Sequence, residues 1–222
     1  MELTCETDFV AKNDDFIKLG KDLVALAYQE SCQDVEAFLL MPYAGQTVAA
    51  ALTACIATLG ENMSVRRMAI YEAGAKGLID LYSHGGGRIA VLVRLELGSP
   101  EATTKPQLQA LVHDLALQIV AAKAQYISTD DVPAEVIVAE KAIYEAQAIN
   151  EGRAANIVER MVEGRLRKYL EDVCLLKQVY IKDTSLTVEQ LIANLAKECG
   201  TTISVAQFVR YEIGEGIEDS EE

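Results

Sequence analysis

"RIAVLVRLEL", residues 88–97, alternates well: Ile89, Val91, Val93, Leu95 and Leu97 fall on one side, and Arg88, Ala90, Leu92, Arg94 and Glu96 on the other. A period of two over this length predicts a half-buried antiparallel strand. The polar stretch "GSPEATTKPQ" (98–107) then leads into a helix whose stripe is Leu108, Leu111, Leu115 and Ile119. The same order occurs near the start. Residues 1–9 read as the end of a strand, and Asp14-Asp15 open a helix with Phe16, Leu19, Leu23 and Leu26 on one face. "DFIKLGKDLVALA" (15–27) and "PQLQALVHDLALQIVAA" (106–122) are weakly similar. Two strand–loop–helix units in one chain predict two related subdomains rather than one open sheet.

Between them, 47–59 reads as a helix stopped by Gly60, and 65–71 as a strand. Residues 134–149 and 154–170 are helical stretches joined by Asn150-Glu151-Gly152. Val136, Ala139, Ile143 and Ala146 are expected to face Val158, Met161 and Tyr169 in a projecting antiparallel helical hairpin. Thr187 and Gln190 have capping-box spacing for a helix ending at Gly200. "QFVRYEIG" sets Val209, Tyr211 and Ile213 against Arg210 and Glu212 as a last antiparallel strand, and the tail "EDSEE" reads as frayed. The expected architecture is α+β: two related subdomains with small antiparallel sheets packed by helices, plus the hairpin 134–170. The first subdomain is placed at 1–81 and the second at 82–222.

Composition narrows the function. The chain has 222 residues, half of them hydrophobic, with 20 Lys plus Arg against 34 Asp plus Glu, a net charge of −14. Such a surface repels phosphate backbones, which argues against direct nucleic-acid binding. No apolar run reaches the ~20 residues of a membrane span. Five scattered cysteines without a CxxC pair, and only two histidines, do not make a zinc pattern and suit free thiols.

"HGGGRIAVLV" (84–93) is the most enzyme-like stretch. Its glycines precede a strand, whereas a Rossmann or P-loop places them after a strand and before a helix. The GxSxG elbow that an HGGG-type oxyanion hole needs is missing. A tight turn into a strand is the simpler reading. Asp14-Asp15 and Asp130-Asp131 sit where helices begin, where the helix dipole favours negative charge. Arg66-Arg67 suits either neutralising nearby acids or facing a partner, and His113 suits a helix-face role. Phe9, on the polar stretch "CETDFVAKN" (5–13), has two readings: a hydrophobic staple under the following helix, or an exposed plug for a partner's pocket.

"CETDFVAKN" resembles the signature of elongation factor Ts, the family of guanine-nucleotide exchange factors for elongation factor Tu. The resemblance continues, in the family's order, through "IATLGENMSVRRMAIYE" (56–72), "YSHGGGRIAVLV" (82–93), "ISTDDVPAEVI" (127–137), "MVEGRLRKYL" (161–170) and "FVRYEIGEGIE" (208–218). It implies that Asp8 and Phe9 contact the GTPase domain of Tu. Thr7 and Val10 shape their turn, and His84 is a further contact. It also implies that 134–170 is the family's coiled coil and that the protein has no catalytic residues, metal or cofactor of its own, GDP, GTP and Mg²⁺ belonging to the partner. The family's small N-terminal helical module and the strands after it are not matched before Cys5, so the first sheet is expected to be short of strands. A non-exchanging structural or Tu-binding remnant of a longer Ts-containing polyprotein is the alternative. The implied setting is a bacterial cytoplasm or a plastid stroma, and a homodimer is compatible with the sequence.

Overall fold

The computed structural model of the chain describes residues 1–152 and 154–216; the tail 218–222 lies outside them. The fold is α+β, with two compact units, Met1–Tyr71 and Glu72–Glu222. The division falls at 71/72 rather than 81/82. Residues 77–84, read as no element from sequence, form a strand hydrogen-bonded along its length to the strand at 89–97 and so belong to the second unit.

In the first unit, β1 (Glu2–Thr4) is shorter than expected. It is followed by one turn of helix, α1 (Asp8–Ala11), and then by α2 (Asp14–Gln29) and α3 (Val35–Leu39). The strands β2 (Pro42–Tyr43) and β3 (Gln46–Thr47) form a small hairpin before α4 (Val48–Leu59), and β4 (Ser64–Arg67) pairs antiparallel with β1. The Asn13 side chain caps α2 by accepting from the Asp15 N–H at 2.8 Å, and Asp14 and Asp15 occupy its first turn. This helix buries Phe16, Leu19, Leu23 and Ala27, three or four residues apart. Each large one is worth about 1.5–3 kcal/mol relative to exposure. Gly60 ends α4 at φ +78°, a left-handed conformation that costs glycine nothing. Arg66 and Arg67 both reach the buried Glu2, at 3.0 and 2.6 Å, so they neutralise an acid within their own sheet.

In the second unit, β5 (Gly77–His84), β6 (Ile89–Leu97) and, from the far end of the chain, a strand at 203–212 form an antiparallel sheet with β6 in the middle. The predicted face of β6 is buried, with Val91, Val93 and Leu95 fully so. Against it packs α5 (Pro106–Ala122) through Leu108, Leu111, Leu115 and Ile119. The polar loop before α5 contains a 3₁₀ turn at Pro100–Thr104.

The helices α6 (Ala134–Asn150) and α7 (Ala155–Val173) form the hairpin. The side of α6 turned to α7 differs from the expected one. Ala139, Ile143 and Ala146 are exposed, whereas Tyr144 is half-buried and Ala148 is buried. Arg165 of α7 donates to Gln147 at 2.9 Å and to Glu151 at 2.8 Å. Apolar residues lie nearly all round α6, so its periodicity selects no single stripe. Val158 is buried and Met161 and Tyr169 are half-buried, as expected.

The strands β7 (Val179–Tyr180) and β8 (Asp183–Thr187) lead to α8 (Val188–Cys199), which carries the predicted capping box of Thr187 and Gln190. The last strand is β9 (Ile203–Glu212). From Gln207 to Glu212 it alternates as read from sequence, and a bulge before this stretch decides which face meets the core. Val205 pairs Leu95 and Gln207 pairs Arg94, leaving Ala206 unpaired in a bulge. One extra residue exchanges the two faces of a strand. Phe208 and Arg210 therefore share the side of Val93 and Val91, and Val209 and Tyr211 point the other way. The Arg210 guanidinium, almost wholly buried, is paired with Glu212 and Glu215.

Candidate functional site

The sequence-predicted residues Thr7, Asp8, Phe9 and Val10 form one structural feature, the turn α1. Thr7 is extended (φ −126°, ψ 155°) and its hydroxyl accepts from the Val10 N–H at 3.4 Å, the geometry of an N-cap. The Ala11 N–H donates to the Thr7 carbonyl at 3.1 Å, and the Lys12 and Asn13 N–H groups to Phe9 and Val10. Four residues are too few for a helix to persist alone. This one is held by burial of Val10 against Phe16 and Met63, with Leu3, Cys5, Cys55, Ile56 and Leu59 around them.

With Val10 inside, its neighbour must point elsewhere. Phe9 is 88 % exposed, the most exposed large hydrophobic side chain among those described. The staple reading of Phe9 therefore fails, and Val10 takes the inward place. An aromatic ring in water on a turn whose backbone is pinned gains nothing for folding. It is available to a partner with little ordering cost, since its backbone is already fixed.

Two further side chains fasten the turn, and sequence reading did not single them out. Glu61 accepts the Thr7 N–H at 2.9 Å with one carboxylate oxygen and the Thr7 hydroxyl with the other. Asn62 donates its side-chain amide to Glu6 at 2.7 Å. Both lie directly after Gly60, where the left-handed residue turns the chain back toward residues 5–8. A separation of 54 positions from Thr7 leaves no local pattern by which Glu61 could be recognised. The Cys5 thiol, whose S–H donates to the Thr7 carbonyl, has its pKa pushed up by burial and then by the Glu61 charge, so it is a poor nucleophile.

His84 lies in the second unit, at the end of β5. The glycines after it make the hairpin turn to β6: Gly85, Gly86 and Gly87 all have positive φ (62°, 71° and 94°), and His84 pairs with Ile89 across the turn. His84 is exposed, and its ring stacks on Tyr82 with centroids 6.2 Å apart. Tyr82 meets His113 of α5 edge to face at 5.9 Å, and His113 Nδ1 lies 2.9 Å from an Asp80 carboxylate oxygen. Asp80, Tyr82 and His84 share one face of β5. His113 is thus a helix-face residue, as read from sequence, and the group is a polar–aromatic patch with no nucleophile held beside a base.

Surface hollows occur elsewhere among the described residues. One in the first unit, of about 170 Å³, is lined by Met1, Val24, Tyr28 and Met68. One along the hairpin, of about 560 Å³, is lined by Lys141, Ile149, Val158 and Val162. Neither includes Thr7–Val10 or His84. Phe9 and His84 are instead exposed side chains at turns, a form suited to contact with a macromolecule. Among the described residues no helix is long and apolar enough to cross a membrane.

Comparison with known proteins gives one consistent result. The family described as "Elongation factor TS" matches residues 6–215. The chain is 44 % identical over 218 residues to elongation factor Ts of Symbiobacterium thermophilum, covering 98 % of this chain and 70 % of that protein. It is 44 % identical over 223 residues to elongation factor Ts of Clostridium botulinum (strain Alaska E43), covering all of this chain and 72 % of the relative. With elongation factor Ts of Clostridium acetobutylicum the identity is 42 % over 223 residues, again across the whole chain. The likeness thus runs through both compact units and includes the Thr7–Val10 turn and the His84 hairpin, and the chain belongs to the elongation factor Ts family.

Proposed function

We propose that this chain binds the GTPase elongation factor Tu and promotes release of its GDP, so that GTP can take its place. The observation that carries this reading is the exposure of Phe9 on a turn whose two ends are fixed, by the Thr7 cap and by burial of Val10. Phe9 is the wedge: it enters the GTPase domain between elements close to the nucleotide and disturbs Mg²⁺ and the phosphate loop indirectly. Asp8, beside it on the exposed side of the turn, contacts the same domain. Thr7 and Val10 set the shape. His84, with Tyr82 beneath its ring, is a second contact from the other unit.

The physics of exchange is linkage. A protein that binds nucleotide-free Tu more tightly than nucleotide-bound Tu weakens GDP binding by the same factor by which GDP weakens its own. No general acid, base or nucleophile takes part, and GDP, GTP and Mg²⁺ all belong to the partner. The setting of such an activity is the compartment of translation, a bacterial cytoplasm or a plastid stroma.

The test is release of a fluorescent GDP analogue from Tu with and without the chain, together with a direct binding measurement. Accelerated release that is lost in Phe9→Ala supports exchange through Phe9. Binding without acceleration identifies a non-exchanging Tu-binding protein. Absence of binding ends the proposal.

A further inference from the structure

We infer that Glu61 is a positioning residue for Phe9, locking the Thr7 cap so that the aromatic ring is presented in one direction; this rests on the reading of Phe9 as the contact residue. The hydroxyl of Thr7 has one proton and two lone pairs. The proton goes to one Glu61 oxygen, and a lone pair receives the Val10 N–H at 3.4 Å. The other Glu61 oxygen takes the Thr7 N–H at 2.9 Å. A single carboxylate therefore fixes both the backbone of the cap and the rotation of its hydroxyl. Without it the hydroxyl is free to turn its lone pair away from Val10, and the Val10 N–H, in the first turn of α1, loses its partner. Hydrogen bonds to a charged acceptor are roughly twice as strong as neutral ones, which suits a half-buried latch on a four-residue helix.

The surroundings make Glu61 a firm support. Gly60 ends α4 in the left-handed conformation immediately before it. Met63, two residues after it, is buried against Val10 and Phe16. Asn62 adds a second tie, donating to Glu6 on the other side of Thr7. Residues 60–63 and 5–10 are thus bound by polar contacts at the surface and by apolar contacts beneath. Phe9 points away from all of them, so none of these ties restrains its side chain directly. They restrain the backbone from which it projects. Glu61 acts through its two hydrogen bonds to Thr7.

The experiment is a double-mutant cycle in the full chain, using Glu61→Gln and Phe9→Ala singly and together. The readout is acceleration of fluorescent GDP release from Tu across a range of chain concentrations, with urea unfolding to confirm that each variant is folded. Glu61→Gln keeps the size of the side chain and removes its charge and one acceptor. The expected result is about a five- to tenfold loss of exchange efficiency in the parent chain and little further loss in the Phe9→Ala background, as coupled neighbours behave. Equal losses in both backgrounds, or no loss in the parent, overturn the positioning role and leave the role of Phe9 standing. If Phe9→Ala itself releases GDP as fast as the parent, the contact reading falls and the positioning role falls with it.

Discussion

Gln118 donates its side-chain amide to the side-chain oxygen Oε1 of Gln178 at 3.1 Å, with both residues buried. The pair leaves no amide group idle. Gln118 also donates to the Val179 carbonyl at 3.1 Å and accepts the Ile181 N–H at 2.8 Å. Gln178 donates to the carbonyls of Ala122 and Asp172, at 3.0 and 2.7 Å. Five hydrogen bonds thus join α5, the end of α7 and the strand β7, which ties the root of the hairpin to the sheet-and-helix core. Gln118→Leu strands the buried Gln178 side-chain oxygen and removes the partner of the Ile181 N–H. A loss of about 1–3 kcal/mol for each group left unsatisfied is expected, read as a lower urea midpoint with little change in slope.

Phe9 and Val10 are neighbours whose substitutions should separate stability from function. Phe9→Ala removes a ring that is already in water, so stability should stay within about 0.5 kcal/mol. If the ring is a binding hot spot, affinity for Tu should fall by about 2 kcal/mol and GDP release should slow. Val10→Ala removes buried methyls from the cluster with Phe16 and Met63, and should cost about 1–2 kcal/mol in unfolding experiments. A large stability loss in Phe9→Ala would place the ring inside the protein.

His84→Ala tests the second contact. The side chain is exposed and ends a strand, so the unfolding midpoint should not move by more than about 0.5 kcal/mol. Tu binding measured by calorimetry should weaken. Unchanged affinity removes His84 from the interface and leaves its stacking on Tyr82 as a local surface feature.

Tyr144 gives the hairpin a dependence on alkaline pH. Burial, and then its hydrogen bond to the Glu140 carboxylate, push the phenol from its ordinary value near 10 up to about 12. A group whose pKa is raised on folding holds its proton more tightly in the folded state. Its contribution is complete below about pH 10 and is lost as pH rises toward 12. Stability of the parent chain should therefore fall over that window more steeply than that of Tyr144→Phe, as followed by urea unfolding at successive pH values. Parallel curves would show that Tyr144 ionises as it does in the unfolded chain.

Much of the fold is legible in local patterns because the forces concerned are local. The buried face of β6, the stripe of α5, the Thr187–Gln190 box and the stop at Gly60 all depend on residues within a few positions of one another. The ordered blocks from 5 to 218 carried the family in the same way. What sequence alone left open depends on partners distant along the chain. It allowed Phe9 to be inside or outside; the structure turns it out because Val10 fills the pocket beside Phe16 and Met63, while Glu61 holds Thr7 from 54 residues away. It set Val209 and Tyr211 on one face and Arg210 on the other without saying which is inside; the bulge at Ala206, set by pairing with β6, places Arg210 on the side of Val91. It chose one stripe of α6, and packing against α7 chose another. Hydrophobic period determines that an element forms and that some face is buried. Which face, and what is left outside to meet a partner, is decided only when the elements compete for the same interior.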